Sequence, residues 1–363
     1  MTTNNRLTAL RDLLQKEGFS YEAVFITRPE NRAYLSGFTG SFGYLLITAT
    51  DAILFTDGRY LEQAALQAPG WKVVRLTRPF EQSVIPEIKR LALASIGFEA
   101  DHLSYNYYMS WTDKIKETRW LPAPNLGAKL RQRKDNVEVE ALRRAVEIAT
   151  KAFARVLGVL KPGMTEREAA AELEYGFRKF GADAIAFDTI VASGPRGALP
   201  HGQATDKVIE AGELVTFDFG ARVAGYNSDI TRTVFVGGNG KQPSERQRQV
   251  YELVRESQQA GVEAVKPGVP AGEIDKICRD IFEKAGLAEY YMHSTGHNLG
   301  REVHEAPFLM PNDANLLEAG MVLTVEPGLY FPEWGGVRIE DDLLVTAGGV
   351  EILTSSSKEL ILL

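Results

Sequence analysis

The amino-acid sequence predicts an α+β protein of two domains, the second assembled from two similar halves. Three observations carry that expectation. The chain has 363 residues, long for one average domain and short for three. Its first part alternates helical and apolar extended patterns, and its second part repeats itself.

An amphipathic helix marked by Leu7, Leu10, Leu13 and Leu14 comes first, followed by short apolar runs at Ala23 to Ile26, Tyr44 to Ile47 and Ala52 to Phe55. That is the rhythm of a sheet covered by helices. The segment LPAPNLGAKLRQRK, from Leu121 to Lys134, combines two prolines, a glycine and clustered basic residues before a long charged helix that begins near Asn136. It reads as the junction, dividing the chain into residues 1–126 and 127–363. Beyond it, Leu160 to Gly181 aligns without gaps on Val265 to Gly286, with Lys161, Pro162, Gly163, Glu168, Phe177, Lys179 and Gly181 recurring at a constant spacing. A Pro-Gly turn before an amphipathic helix can recur by chance. Duplication is the other explanation, and it gives two α+β halves facing each other with room for a site at their seam.

Composition narrows the function. With 44% hydrophobic and 25% charged residues the chain matches ordinary globular proteins. Its net charge of -7 offers no general attraction to phosphate backbones, so nucleic acid is not an expected partner. The single cysteine, Cys278, excludes an internal disulfide framework and sits in a helical apolar pattern, where it reads as core. The first residues resemble neither a secretory signal nor a membrane anchor, and no apolar run is long enough to span a bilayer. Cytoplasmic residence, away from membranes, is the expectation. The DFG at Asp218 and the FTDGR at Phe55 lack a preceding glycine-rich phosphate loop, which discards nucleotide chemistry.

Acidic residues provide the first chemistry. Glu213 to Val236 reads as an antiparallel hairpin turning within Arg222 to Asn227. Asp218 and Asp229 are equidistant from a point between Val223 and Ala224, so they are expected as cross-strand neighbours. Glu326 and Glu340 are equidistant from Glu333, in the turn between the β-rich runs Met321 to Tyr330 and Gly336 to Val345. Either acid alone would be an ordinary solvent-facing residue. Ionised carboxylates held this close repel unless a cation lies between them, and two such pairs, one in each half of a repeat, point to metal. Three of the five histidines, His293, His297 and His304, fall within HSTGHNLGREVHE and offer a nitrogen ligand, while His102 lies far off and reads as structural. Four carboxylates with one imidazole suit Mn, Co or Zn.

The motifs ENRAYLSGFTGS and FTDGRY, then VASGPRGALPHG, FDFGARVAGYNSDITRT, HSTGHNLGREVHE, TVEPGLY and GVRIEDD, resemble in type and order the creatinase and aminopeptidase P branch of the methionine aminopeptidase superfamily. The resemblance covers nearly the whole chain. It implies a creatinase-like N-terminal α/β domain followed by a pita-bread catalytic domain with an internal pseudo-twofold repeat. It also implies two divalent metal ions per subunit, Mn first with Co or Zn as alternatives, held by Asp218, Asp229, His297, Glu326 and Glu340, with Asp229 and Glu340 bridging. The implied reaction is cleavage of the bond between an N-terminal residue and proline by a water held between the metals. Glu326 is implied as the proton shuttle, His201 and His304 as contacts to substrate and the developing intermediate, and His293 as a lining residue of the proline pocket. For each of these three histidines, support of neighbouring ligands is the alternative. Arg338 is expected to orient a ligand or pocket residue, and a homodimer is implied as the assembly.

Two departures bear on this. Asn298 stands where the family usually has glycine, which concerns local backbone geometry or pocket shape. HEAPFLMPNDANLLEAG lacks the arginine that prolidases tend to carry there for a dipeptide's carboxylate. The expectation therefore leans to an Xaa-Pro aminopeptidase, with an Xaa-Pro dipeptidase as the alternative and a non-catalytic binding module of the same fold third. A metal-free creatinase is opposed by the intact ligand set, and a methionine aminopeptidase by the N-terminal domain.

Overall fold

The computed structural model describes residues 3–18, 20–238 and 240–363. Contacts divide the chain into two compact units, residues 1–131 and 132–363.

The first unit comprises α1 (Thr3–Lys16), β1 (Ala23–Ile26), α2 (Pro29–Ser36), β2 (Tyr44–Thr48), β3 (Ala52–Thr56), α3 (Leu61–Gln67), β4 (Lys72–Arg75), α4 (Glu81–Arg90), β5 (Ser95–Glu99), α5 (Tyr105–Lys114), β6 (Arg119–Ala123) and α6 (Leu126–Arg131). Its mixed six-stranded sheet runs β4-β3-β2-β1-β5-β6. The central strands are apolar without alternation because both faces are covered: Tyr44 and Leu46 of β2 enter a core with Phe25, Trp111 and Trp120, while Leu45 and Ile47 enter another with Leu35 and Phe38. The expected junction from Leu121 to Lys134 is more ordered than its composition suggests. Its start belongs to β6, where Pro122 is tolerated because β6 is an edge strand pairing only with β5.

The second unit begins with α7 (Asn136–Leu157), started by a capping box between Asp135 and Glu138. Next come α8 (Glu166–Phe180), β7 (Ala184–Ile185), β8 (Ile190–Ser193), β9 (Glu213–Phe219), β10 (Ala221–Val223), β11 (Tyr226–Asn227) and β12 (Ile230–Val236). The second half follows with α9 (Glu245–Ala264), α10 (Ala271–Lys284), β13 (Gly296–Asn298), β14 (Glu305–Leu309), β15 (Val322–Val325), β16 (Gly328–Phe331), β17 (Gly335–Arg338), β18 (Asp341–Thr346) and β19 (Gly349–Ile352). The sequence repeat has its counterpart here. Helices α8 and α10 start at equivalent positions, and the glycines flanking them, Gly163 with Gly181 and Gly268 with Gly286, all adopt positive φ. The strand order β12-β9-β8 of one half corresponds to β18-β15-β13 of the other. Each half packs its sheet on its own helix pair, around Phe153, Phe177 and Phe217 in the first and Ile274, Cys278 and Leu323 in the second.

Candidate metal centre

Both hairpins break where the acids sit. In the first, the β9–β12 ladder ends at Phe219 opposite Ile230, and the chain resumes pairing as β10–β11 beyond Gly220 on one side and Ser228–Asp229 on the other. Its residues pair about a point between Ala224 and Gly225, one position later than the sequence suggests. Asp218 consequently faces Thr231, not Asp229. Asp229 is two residues further toward the tip, a shift that keeps both acids on one face because the side-chain period is two. The turn is the reason for the shift: Ala224 and Gly225 both have positive φ, the geometry of a two-residue hairpin loop. Gly220 makes the break possible, since a Cβ there would lie 1.9 Å from the Ser228 carbonyl oxygen. In the second hairpin, β15–β18 and β16–β17 both pair symmetrically about Glu333, as expected, and Glu326 and Glu340 occupy the gap between the two ladders.

The two halves meet at these gaps. The Glu340 amide donates to the Thr231 carbonyl at 3.1 Å, and the Asp229 amide to Asp342 Oδ2 at 3.0 Å. Thr231 Oγ1 donates to Glu340 Oε2 at 2.6 Å. Ligand atoms of Asp229, His297 and Glu340 all lie within 4.8 Å of one another. Glu326 joins them through Oε1, 3.4 Å from His297 Nε2. Asp218 lies beside this group and is held by Arg338, whose Nη2 donates to Oδ2 at 2.6 Å.

The electrostatics of this cluster call for a cation. Burial first, and then the neighbouring acids, push the Asp229 and Glu340 carboxyls well above the usual carboxylate range, and burial pushes Glu326 up to about 8. Burial holds His297 down at about 3, so its imidazole is neutral and its approach to Glu326 and Asp229 is no ion pair. Its Nδ1 lies 3.1 Å from the Asn298 carbonyl oxygen. A carbonyl only accepts, so Nδ1 carries the proton and Nε2 turns its lone pair to the acids. Asp218 Oδ1 and Glu340 Oε1 are buried with no hydrogen-bond partner among the described residues. Orphaned carboxylate oxygens around a neutral imidazole nitrogen are costly alone and form a fitting ligand set for divalent ions.

A cavity of about 230 Å³ opens on the cluster, lined by Asp218, Asp229, His297 and Glu326, by His201 and His304, and by the apolar Phe187, Ile190 and Val303. The His304 ring centroid is 4.4 Å from that of His297. His293 and Arg338 are not among the lining residues. Instead His293 donates through Nδ1 to the Ser294 carbonyl at 2.7 Å and accepts from the Tyr330 hydroxyl at Nε2, also at 2.7 Å. That hydroxyl accepts from Arg338 Nη1 at 2.8 Å. His293 and Arg338 thus form one buried polar chain ending on Asp218. Asn298 also faces away from the cavity. Its side chain accepts from Lys134 Nζ at 2.9 Å and donates to the Ala306 carbonyl at 2.9 Å, tying β13 to its surroundings.

Sequence reasoning missed Thr231, Tyr330 and Asp342. Thr231 and Asp342 each stand two residues beyond a candidate ligand on the same strand face, and that spacing was the available signal. Cys278 is buried as expected, its thiol pushed up to about 12 by burial. His102, in the first unit, bonds through Nδ1 with the Thr27 hydroxyl at 2.9 Å.

Known proteins resemble this chain in sequence and fold. Residues 140–347 match metallopeptidase family M24, and residues 6–133 match the creatinase/prolidase N-terminal domain. An Xaa-Pro dipeptidase of Pyrococcus furiosus is 41% identical over 94% of this chain and 96% of its own. Among solved structures, an Xaa-Pro dipeptidase from Bacillus anthracis superposes with a TM-score of 0.95 at 42% identity, covering 100% of both chains. An X-Pro aminopeptidase from Thermotoga maritima gives 0.90 at 35%, covering 98% of this chain and 99% of that one. Two hairpins broken at paired acids, a neutral histidine between them and matches spanning both units lead to one conclusion: the chain belongs to metallopeptidase family M24 and carries a creatinase/prolidase N-terminal domain.

Proposed function

We propose that this chain cleaves the peptide bond between an N-terminal residue and proline. The observation that carries the proposal is the cluster of buried, mutually repelling carboxylates with orphaned oxygens opening on a small, partly apolar cavity. Asp218, Asp229, His297, Glu326 and Glu340 would hold two divalent ions, Mn foremost with Co or Zn as alternatives. When bound, such ions supply Lewis acidity to the scissile carbonyl and acidify the attacking water. Glu326, whose burial raises its proton affinity, takes the proton from that water and returns it to the leaving proline nitrogen. His201 and His304, at the cavity wall, donate to the oxygen on which charge develops. Arg338 and His293 act through Asp218 and Tyr330, keeping the first hairpin's acid in place.

Peptides longer than two residues are the favoured substrates. Among the described residues lining the cavity there is no lysine or arginine, so a dipeptide's carboxylate would lack a strong counter-charge there. The dipeptidase is the second reading, favoured by the 42% identity with the Bacillus anthracis Xaa-Pro dipeptidase. Rates on Xaa-Pro and Xaa-Pro-Yaa substrates, measured on Mn-loaded and chelated protein, test both. Loss of activity on chelation and preference for the tripeptide are expected; no cleavage of either substrate would sink the proposal, and a dipeptide preference would select the second reading. We further propose the homodimer that the resemblance implies, to be checked by sedimentation. A particle of 40.1 kDa, the mass of one chain, would overturn it.

A further inference from the structure

We propose that Glu166 is a positioning residue for His201, acting as a buried clamp on both ends of the segment 193–205 that carries the histidine to the cavity. This rests on the proposed peptidase function, which gives His201 its task.

Glu166 is the first residue of α8, where a glutamate ordinarily faces solvent. Here it is fully buried, although the helix start is already capped by Thr165 and Glu168 bonding each other's amides. Its carboxylate is spent on the neighbouring chain. Oε1 accepts from the Ser193 amide at 2.8 Å and the Ser193 hydroxyl at 2.9 Å. Oε2 accepts from the Thr205 amide at 3.1 Å, the Thr205 hydroxyl at 2.8 Å and Arg196 Nε at 3.0 Å. The first helical turn adds to the grip, with the Glu166 amide donating to the Lys207 carbonyl and the Arg167 amide to that of Thr205, each at 3.0 Å. Arg196 then braces the segment internally by donating through Nη2 to the Gln203 carbonyl at 2.6 Å.

Between these anchors sits His201, exposed and facing the cavity. Among the described residues no side chain bonds its ring, so its place is set by its backbone. The repeat argues that the buried charge is not an architectural need: the equivalent position at the start of α10 is Ala271, and that helix forms without a carboxylate there. The second half holds its own site segment one turn later, where Asp275 accepts from the Thr295 amide and hydroxyl at 3.1 and 2.9 Å. A buried carboxylate with five donors, one of them a guanidinium, fixes a loop far more tightly than packing alone.

The test is a double-mutant cycle. Glu166→Gln turns one acceptor oxygen into a donor facing amide hydrogens and should lower kcat/KM on an Xaa-Pro substrate by about 10- to 100-fold, as small displacements of a catalytic contact do. In a His201→Ala background it should cost less than about threefold, because the two changes remove the same contact. Affinity for Mn should stay within about twofold, since none of the proposed ligands lies in the segment, and amide exchange should quicken over 193–205 alone. Additive losses, or unchanged exchange in that segment, would overturn the proposal. Should Glu166→Gln fail to fold, Thr205→Val removes one donor and leaves the carboxylate, with a smaller effect of the same pattern expected. If the unaltered protein cleaves no Xaa-Pro bond, the function proposed above fails, and the exchange measurement still decides whether Glu166 fixes the loop.

Discussion

Stripping the protein of divalent cations should make its stability fall as the pH rises above neutrality. The Glu326 side chain is only 18% exposed, and burial pushes its carboxyl up to about 8, whereas a glutamate in an unfolded chain ionises near ~4.3. A carboxyl raised on folding stabilises the fold while it keeps its proton. That contribution is complete below the unfolded value, shrinks as the pH climbs, and is gone above the folded value. Each pH unit inside this window is worth about 1.4 kcal/mol, tapering near its upper end, so Glu326 alone accounts for a loss of about 1 kcal/mol between roughly pH 7 and pH 8.5. Asp229 and Glu340 are raised as well and add in the same direction. The comparison starts at neutrality because buried His297 and His293, held down at about 3 and about 4, work in the opposite sense at lower pH. For a unit of this size the loss corresponds to about 2–4 °C in Tm. Calorimetry of chelated protein across that range should show the decline, and saturating Mn should raise the Tm and flatten the curve by taking the place of the protons. A chelated protein equally or more stable at the higher pH would refute the view that these acids lack a counter-charge of their own.

Two substitutions probe the framework around the cluster. Gly220→Ala places a Cβ 1.9 Å from the Ser228 carbonyl oxygen and 2.8 Å from Ala186 Cβ, and should cost at least about 2 kcal/mol in thermal or urea unfolding; an unchanged midpoint would mean that the break is not a close approach. Thr231→Val keeps the β-branched shape but deletes the donor to Glu340 and the acceptor that Arg338 Nε reaches at 3.1 Å. Titration calorimetry should find Mn bound about 10-fold more weakly, and equal affinity would remove Thr231 from the site.

The second hairpin was legible because its break is symmetric: Glu326 and Glu340 each interrupt their strands at the same distance from Glu333, so counting residues preserves the register. Counting misplaced the first hairpin's centre by one position because either of two adjacent dipeptides could form the turn, and only backbone φ at Ala224 and Gly225 decides between them. The doubled helix was visible because its glycines must adopt positive φ in both copies. The supporting shell was not. Glu166 reads as one more acidic residue in a helix's first turn, and its role depends on Ser193 and Thr205, which only folding brings to it. The chain Arg338–Tyr330–His293 was hidden for a related reason, since a hydroxyl linking a guanidinium to a distant neutral imidazole leaves no spacing to count. Leu121 to Ala123 was taken for junction because two prolines disguise an edge strand whose own Trp120 fills the core.

The interrupted ladders separate two jobs along a single hairpin. Below each gap the paired strands pack on their helices and set where the acids stand; above it, β10–β11 continues in a small sheet with β7, and β16–β17 as a two-stranded ribbon whose Leu329, Phe331 and Val337 enter an apolar core. A change in the length of the first arm at Ala224–Gly225, or of the second at Pro332–Trp334, alters the outer reach of the hairpin without passing a register shift through the gap to the ligands. An insertion confined to either tip is therefore expected to leave the spacing of the acids beneath it unchanged.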